Sequence, residues 1–325
     1  NAEVDYKSQS LQLIDAPLLL ENQEKGNYTV DLRPGIPTQS FSFNVTSENA
    51  EKRKVFGDVR FRKAMSVAIN RDEINEVAFF GQGVARQNIG FSPKPEFVDE
   101  KWLSYATEYD PEAAKALLDE IGMKDTDGDG FRELPNGEKI ALNMQFATQG
   151  ISGKVVELVA NHWSQVGVQT AVKEVTPDEY RSAQSANKLD VGMWKRGQPV
   201  AIVMGNNEMW VPPFGTYFEH RTGMLWAEWV SSNGANGVEP PAFVKSMMDD
   251  INAFQSATPG SAESAEIGAR MAATMTENLL YIGTVLATSP IYRRNELKNF
   301  TQFQTASYDY YRTYPYRASQ WFLDE

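Results

Sequence analysis

Between residues 140 and 194 the spacing of apolar side chains switches back and forth between two periods. In "IALNMQFA" (140–147), Ile140, Leu142, Met144 and Phe146 alternate along one face, the signature of a half-buried strand. From 151 to 166, Val155, Val159, His162, Trp163 and Val166 recur at helical spacing up to Gly167. "VQTAVKEV" and "LDVGMW" then read as strands, separated by a short helix that opens on "TPDE". Strand, helix, strand, helix, strand is an order that crossover units produce, so the expected fold class is α/β, a mixed sheet flanked by helices.

Other helices are marked by their own ends. "NRDE" (70–73) offers Asn70 as N-cap with Glu73 three residues on, and Gly81 closes that helix. "DPEAAKALLDEIG" has Asp110 as cap, Pro111 at the first helical position and Gly122 past the end. Thr176, Pro177 and Glu179 repeat the pattern. Two further helices run from Pro241 to about Phe254 and from Ala262 to Asn278. Their methionines (Met247, Met248, Met271, Met275) fall at core spacing. "LLYIGTVLA" (279–287) reads as buried strand, whereas 195–240 follows neither period and is expected to be an irregular, functional segment. The end of the chain is strongly aromatic, and no internal repeat is visible.

Composition excludes several kinds of function. The net charge of −12 leaves no basic stripe to displace phosphate counterions, which argues against nucleic acid as a partner. No apolar run approaches the roughly 18–20 residues needed to cross a bilayer. With no cysteine there are no disulfides, thiolate metal sites or cysteine nucleophiles. There are two histidines, His162 and His220, and no nucleophile elbow, paired zinc histidines or phosphate-cradling glycine loop, so the chain is expected not to be an enzyme. Three matches to the glycosylation sequon, at 27, 44 and 299, are too short to carry weight.

Two stretches suggest binding. Trp194, Asn206, Asn207 and Trp210 lie close in sequence, and aromatic faces with side-chain amides suit neutral polar ligands such as sugars or peptides. "KDTDGDGFRELPNG" (124–137) begins like a calcium loop. Counting from Asp125 gives Asp127, Asp129, the Phe131 carbonyl and Glu133 as oxygen ligands, but position twelve is Asn136, which cannot give a bidentate carboxylate. Calcium is therefore one reading of this stretch. The other is a turn whose aspartates accept hydrogen bonds from their own backbone.

Several stretches together resemble the family 5 extracellular solute-binding proteins, the peptide- and nickel-type receptors of ATP-driven importers. "FGDVRFRKAMSVAINRDEINEVAFFGQG" (56–83) is similar to that family's Val-Arg-x-Ala-x-x-x-Ala-Ile-Asp-Arg segment, with Asn70 where Asp is usual. "YDPEAAKALLDEIGMKDTDGDGFREL" (109–134) resembles the next block, including the aspartate-rich turn. "FSFNV", "GEKIALNMQFAT", the helix to "VGVQTAVKEV" and "IGTVLATSPIYRRNELKNF" match further blocks in collinear order. The resemblance implies a lobe of a two-lobed, type II periplasmic-binding-protein fold. Residues 1–288 would form the C-terminal lobe two, and 289–325 would return to a lobe one whose remainder is absent, leaving the aromatic tail with uncovered apolar surface.

The implied function is the substrate-binding component of an ABC importer. It would hold an oligopeptide or oligosaccharide between the lobes and deliver it to a membrane permease. The implied location is periplasmic or extracellular, held at the membrane through the permease or an anchor outside this chain. Peptide-binding relatives often place an aspartate just after the strand that ends in Trp; here Lys195 and Arg196 stand there, with no acid until Glu208. The expected ligand-binding residues are Trp194, Arg196, Asn206, Asn207 and Trp210. No cofactor is expected beyond a calcium ion at the aspartate turn. A glycan- or peptide-acting hydrolase and a calcium-stabilised ligand sensor stay open as alternatives.

Overall fold

A computed structural model describes residues 4–7, 11, 13–34, 38–206, 210, 222–286, 288–300 and 318–324. The elements of the crossover region form in the predicted order, and its first crossover is paired. The strand Leu142–Phe146 pairs in parallel with Thr170–Glu174, and the helix Gly153–Gln165 connects them. That helix buries Val155, Val156, Val159, Ala160, His162 and Trp163. The helix Pro177–Ser185 then leads into the strand Val191–Arg196. Its start lies beside Asn143: the Asp190 N–H donates to the Asn143 carbonyl (3.3 Å), and the Asp190 carboxylate accepts from the Asn143 N–H (2.9 Å).

Val191–Arg196 continues the layer by pairing antiparallel with Thr38–Phe43, which pairs antiparallel with Ile282–Gly283. One face of this sheet carries Phe41, Phe43, Val191 and Met193 into the main core. There Trp163 meets Phe41 and Phe43 at ring separations of 5.4 Å. The other face carries Thr38, Ser40, Ser42, Gly192 and Arg196, small or polar groups that are nonetheless buried, together with Trp194.

The expected caps form. Asn70 Oδ1 accepts from the Glu73 N–H (3.0 Å), Asp110 Oδ1 from the Ala113 N–H (2.8 Å), and Thr176 with Glu179 makes a full capping box. One detail differs. The Glu73 carboxylate does not reach back to its own cap but bonds His162 Nε2 at 2.7 Å, joining the helix Arg71–Phe79 to Gly153–Gln165. His162 is buried on the apolar side of its helix, so a tertiary partner outcompetes the local one.

A second correction concerns 195–240. Among the described residues this segment holds two helices, Val200–Gly205 and Met224–Ser231. Both are short and neither has a side-chain cap bond, which is why no end signal marks them in the sequence. The methionine-bearing helices are Ala242–Ser256 and Ala262–Glu277; Met247, Met271 and Met275 fill a second core with Phe91, Trp210 and Phe254.

The two chain ends build a sheet of their own. Thr288–Arg294 lies between Tyr6–Lys7 and Tyr28–Pro34, antiparallel to both. Tyr6, Phe300 and Trp321 pack together with ring separations of 5.1–5.2 Å. Phe322 and Leu323, in a short strand paired with Leu297–Lys298, remain exposed. The aromatic run from 301 to 317 lies outside the described residues.

Candidate functional site at the carboxyl edge of the sheet

In an α/β layer the strand ends, where chains turn into loops and helices, are where polar groups converge and ligands bind. Here Leu142–Phe146 and Val191–Arg196 finish at the same edge: a Cβ on Gly150, just past the first, would lie 2.0 Å from the Trp194 ring of the second. Thr38–Phe43 begins at that edge, with Thr38 opposite Arg196. The helix Gly153–Gln165 starts there too, and the Gln39 side-chain oxygen accepts from the Ser152 N–H (3.1 Å). The Thr284 N–H and hydroxyl both donate to the Gln39 carbonyl (3.0 and 2.9 Å). Asn88 ties the layers together, donating to Ser40 Oγ (2.8 Å) and to the Arg196 carbonyl (3.3 Å). Thr148 and Gln149 are exposed just beyond the strand end.

The residues expected to form one ligand wall are distributed differently. Trp194 is 2% exposed and stacks on Tyr180 (5.5 Å between ring centroids, 29° between planes) in a small cluster with Ala147 and Leu189. Trp210 is 1% exposed and belongs to the second core, 4.6 Å from Phe91, with its carbonyl accepting from the Tyr281 hydroxyl (3.3 Å). The structure thus places the two indoles in separate clusters and turns neither face to solvent. Both rings pack as an anchor would, Trp194 on Tyr180 and Trp210 on Phe91. Asn206 is exposed at the end of Val200–Gly205, and Asn207, Glu208 and His220 lie outside the described residues. Arg196 is at the edge, buried, its guanidinium 4.3 Å from the Tyr281 ring centroid.

Sequence reading missed Arg86, Thr38 and Thr284. Arg86 follows the two-residue strand Val84–Ala85, which pairs with Val285–Leu286. Its Nε donates to Thr38 Oγ1 (3.2 Å) and its backbone N–H to the Thr284 carbonyl (3.1 Å). No local motif announces it, since its neighbours come from segments about fifty and two hundred residues away.

The aspartate loop lies elsewhere, between the helix Pro111–Glu120 and the strand Leu142–Phe146. Asp125 accepts from the N–H groups of Gly128 (2.7 Å) and Gly130 (2.9 Å), Asp127 from Asp129 (3.2 Å), and Asp129 from Phe131 (2.9 Å). Gly128 and Gly130 take φ of 83° and 89°, the left-handed region. Glu133, buried, accepts from the Thr126 N–H and hydroxyl, both at 2.8 Å. Oxygens of Asp125, Asp127, Asp129 and Glu133 lie within 4.8 Å of one another, close enough to share a cation. The Lys139 ammonium, however, pairs with both Asp127 and Asp129 (2.7 Å to the latter). Its hydrogen bond, followed by that of the Phe131 N–H, holds the Asp129 carboxyl below its ordinary pKa. An ion would have to displace that lysine. Calcium at about 5 mM should therefore raise the melting temperature by less than about 1 °C, and by more in Lys139→Met. Scanning calorimetry of both proteins checks this; a larger response in the native chain would make the loop a calcium site.

This fold, a mixed α/β layer with its polar edge at the strand ends, is that of the type II periplasmic binding proteins. Residues 3–215 match the bacterial extracellular solute-binding proteins, family 5, middle region, and the chain belongs to that family. Similar curated proteins include a periplasmic alpha-galactoside-binding protein of Rhizobium meliloti, 25% identical over 185 residues, covering 53% of this chain and 26% of that protein. A dipeptide-binding protein of Escherichia coli is 29% identical over 147 residues, covering 45% and 24%. Among solved structures, the oligopeptide-binding protein OppA superposes with a TM-score of 0.76 at 27% identity, covering all of this chain and 54% of its own. A periplasmic binding protein, MelB, from Agrobacterium fabrum in complex with stachyose gives 0.70 at 19% identity, covering 92% and 45%. The chain spans about half the length of these solved structures and a smaller share of the curated relatives. No helix among the described residues is long and apolar enough to cross a membrane.

Proposed function

We propose that this chain is part of an ABC-importer receptor, and that the carboxyl edge described above forms one wall of its ligand site. The observation that carries the reading is the route of the backbone at that edge. Tyr28–Pro34 enters Thr38–Phe43 there, and Val285–Leu286 leaves into Thr288–Arg294, so two antiparallel strands depart side by side from the place where the polar groups converge. Paired strands of this kind are a connection about which a second lobe can close over a ligand. On this reading lobe two is narrower than the 1–288 that the resemblance implies, running from about 38 to 286, and the sheet of the two chain ends lies on the lobe-one side. The protein works outside the cytoplasmic membrane and hands its ligand to a permease.

The relatives named above bind a galactoside, a dipeptide, an oligopeptide and stachyose, so an oligopeptide or an oligosaccharide is the proposed ligand class. Native mass spectrometry of the longer protein purified from its own cells should show a bound mass of that kind. Closure stabilises binding only through contacts from both walls. This chain alone should therefore bind the ligand so identified on the order of 100-fold or more weakly than the longer protein, a loss of about 2.7 kcal/mol. Isothermal calorimetry decides it: full-strength binding by this chain would show that a second wall is not needed.

A further inference from the structure

We propose that Arg86 is a seat for an anionic group, and that the ligand of this edge carries a carboxylate which the Arg86 guanidinium receives. The inference deepens the reading of the edge as a ligand wall and rests on it.

Burying a guanidinium is unfavourable unless its donors find acceptors. The chain shows what a structural solution looks like: Arg71 spends its donors on the carbonyls of Ser66 (2.9 Å), Thr107 (3.2 Å) and Gly283 (3.0 Å) and on Ser66 Oγ (2.9 Å). Arg86 is 8% exposed, and its side chain makes one hydrogen bond, from Nε to Thr38 Oγ1. Its two terminal nitrogens bond no described residue, and they are not among the polar atoms sealed from solvent without a partner. No carboxylate of the described residues comes within the 4.0 Å of an ion pair with it. Burial pulls its pKa down to about 10; the acid whose charge opposes this, Glu100, is itself paired with Lys94 at 3.1 Å. A guanidinium held by its Nε, with both terminal N–H groups left without a described partner and not sealed from solvent, is arranged for a planar two-oxygen acceptor.

Position adds to this. Thr38, which orients Arg86, begins its strand at the edge where ligand is expected, with Arg196 as its cross-strand partner. The fit is to a carboxylate rather than to a neutral hydroxyl, since a hydroxyl cannot offset a desolvated charge. A peptide C-terminus and a uronic acid both supply that group.

The test is a titration of this chain followed by amide NMR at Thr38, Arg86 and Thr284. Sodium acetate should move these resonances saturably, with half-effect at roughly tens of millimolar, as for a single charge-assisted pair near water. Trialanine and trigalacturonate separate the two sources: the true class should act at least about tenfold more tightly than acetate, and trialanine amide or raffinose should not. Arg86→Gln should abolish the acetate response. Arg86→Lys, which keeps the charge without the fork, should weaken it by about tenfold and serves as the test if the glutamine variant does not fold. Absence of any saturable acetate response, or the same response in Arg86→Gln, would overturn the seat. Raffinose or trialanine amide binding unchanged in Arg86→Gln would also overturn it while leaving the receptor reading standing.

Discussion

Replacing Trp163 by alanine should cost about 4 kcal/mol of stability, enough to leave much of the protein unfolded or insoluble. The indole is fully buried and joins three elements: it packs on Phe41 and Phe43 of the Thr38–Phe43 strand, and its N–H donates to the Met65 carbonyl (2.9 Å). Removing it opens a cavity in the main core and strands a backbone acceptor. Phenylalanine at 163 should restore most of the packing but not the hydrogen bond, and should cost about 2 kcal/mol. Urea denaturation of the phenylalanine variant, with solubility of the alanine variant, measures both. Near-native stability in Trp163→Ala would mean that the surrounding rings collapse into the space.

Arg71→Met is the second change with a large expected effect, about 3 kcal/mol. Its guanidinium is buried in the same region and links the end of the helix Val59–Val67, the Thr107 loop and the Gly283 strand through four hydrogen bonds. Burial draws its pKa to about 9, so it still carries its charge at neutral pH. Two effects compete. A methionine relieves the desolvation of a charge, but three of the four partners are main-chain carbonyls, which no side-chain substitution removes. Their lost donors cost about 1–3 kcal/mol each when water cannot reach them, so destabilisation wins. With a urea slope of about 3 kcal/mol per molar, the midpoint should fall by about 1 M. An unchanged midpoint would show that water replaces the guanidinium. Because Trp163 and Arg71 act on the adjacent carbonyls of Met65 and Ser66, Trp163→Phe combined with Arg71→Met should depart from additivity.

Residues whose role is local were legible from the chain alone. Asn70, Asp110 and Thr176 cap the helices they were expected to cap, since a cap and its target are three residues apart. The period of Leu142, Met144 and Phe146 placed their strand, and that of Val155, Val159 and Trp163 their helix, because burial on one face writes itself into spacing. The candidate site was harder. Tryptophan in an irregular stretch reads equally well as a ligand platform or as an anchor, and only the packing on Tyr180 and Phe91 shows where Trp194 and Trp210 are spent.

By itself the sequence determined the α/β layer, its helix ends and the collinear blocks of a solute-binding protein, because each of these depends on neighbours within a few residues or on order along the chain. Tertiary structure alone decided that Glu73 serves His162 and that Lys139 lies on the aspartate loop. It also brought Arg86 to Thr38 at the sheet edge. Each of those contacts joins side chains whose separation in sequence carries no information about their separation in space, and a charge declares its purpose only through what it is left to bind.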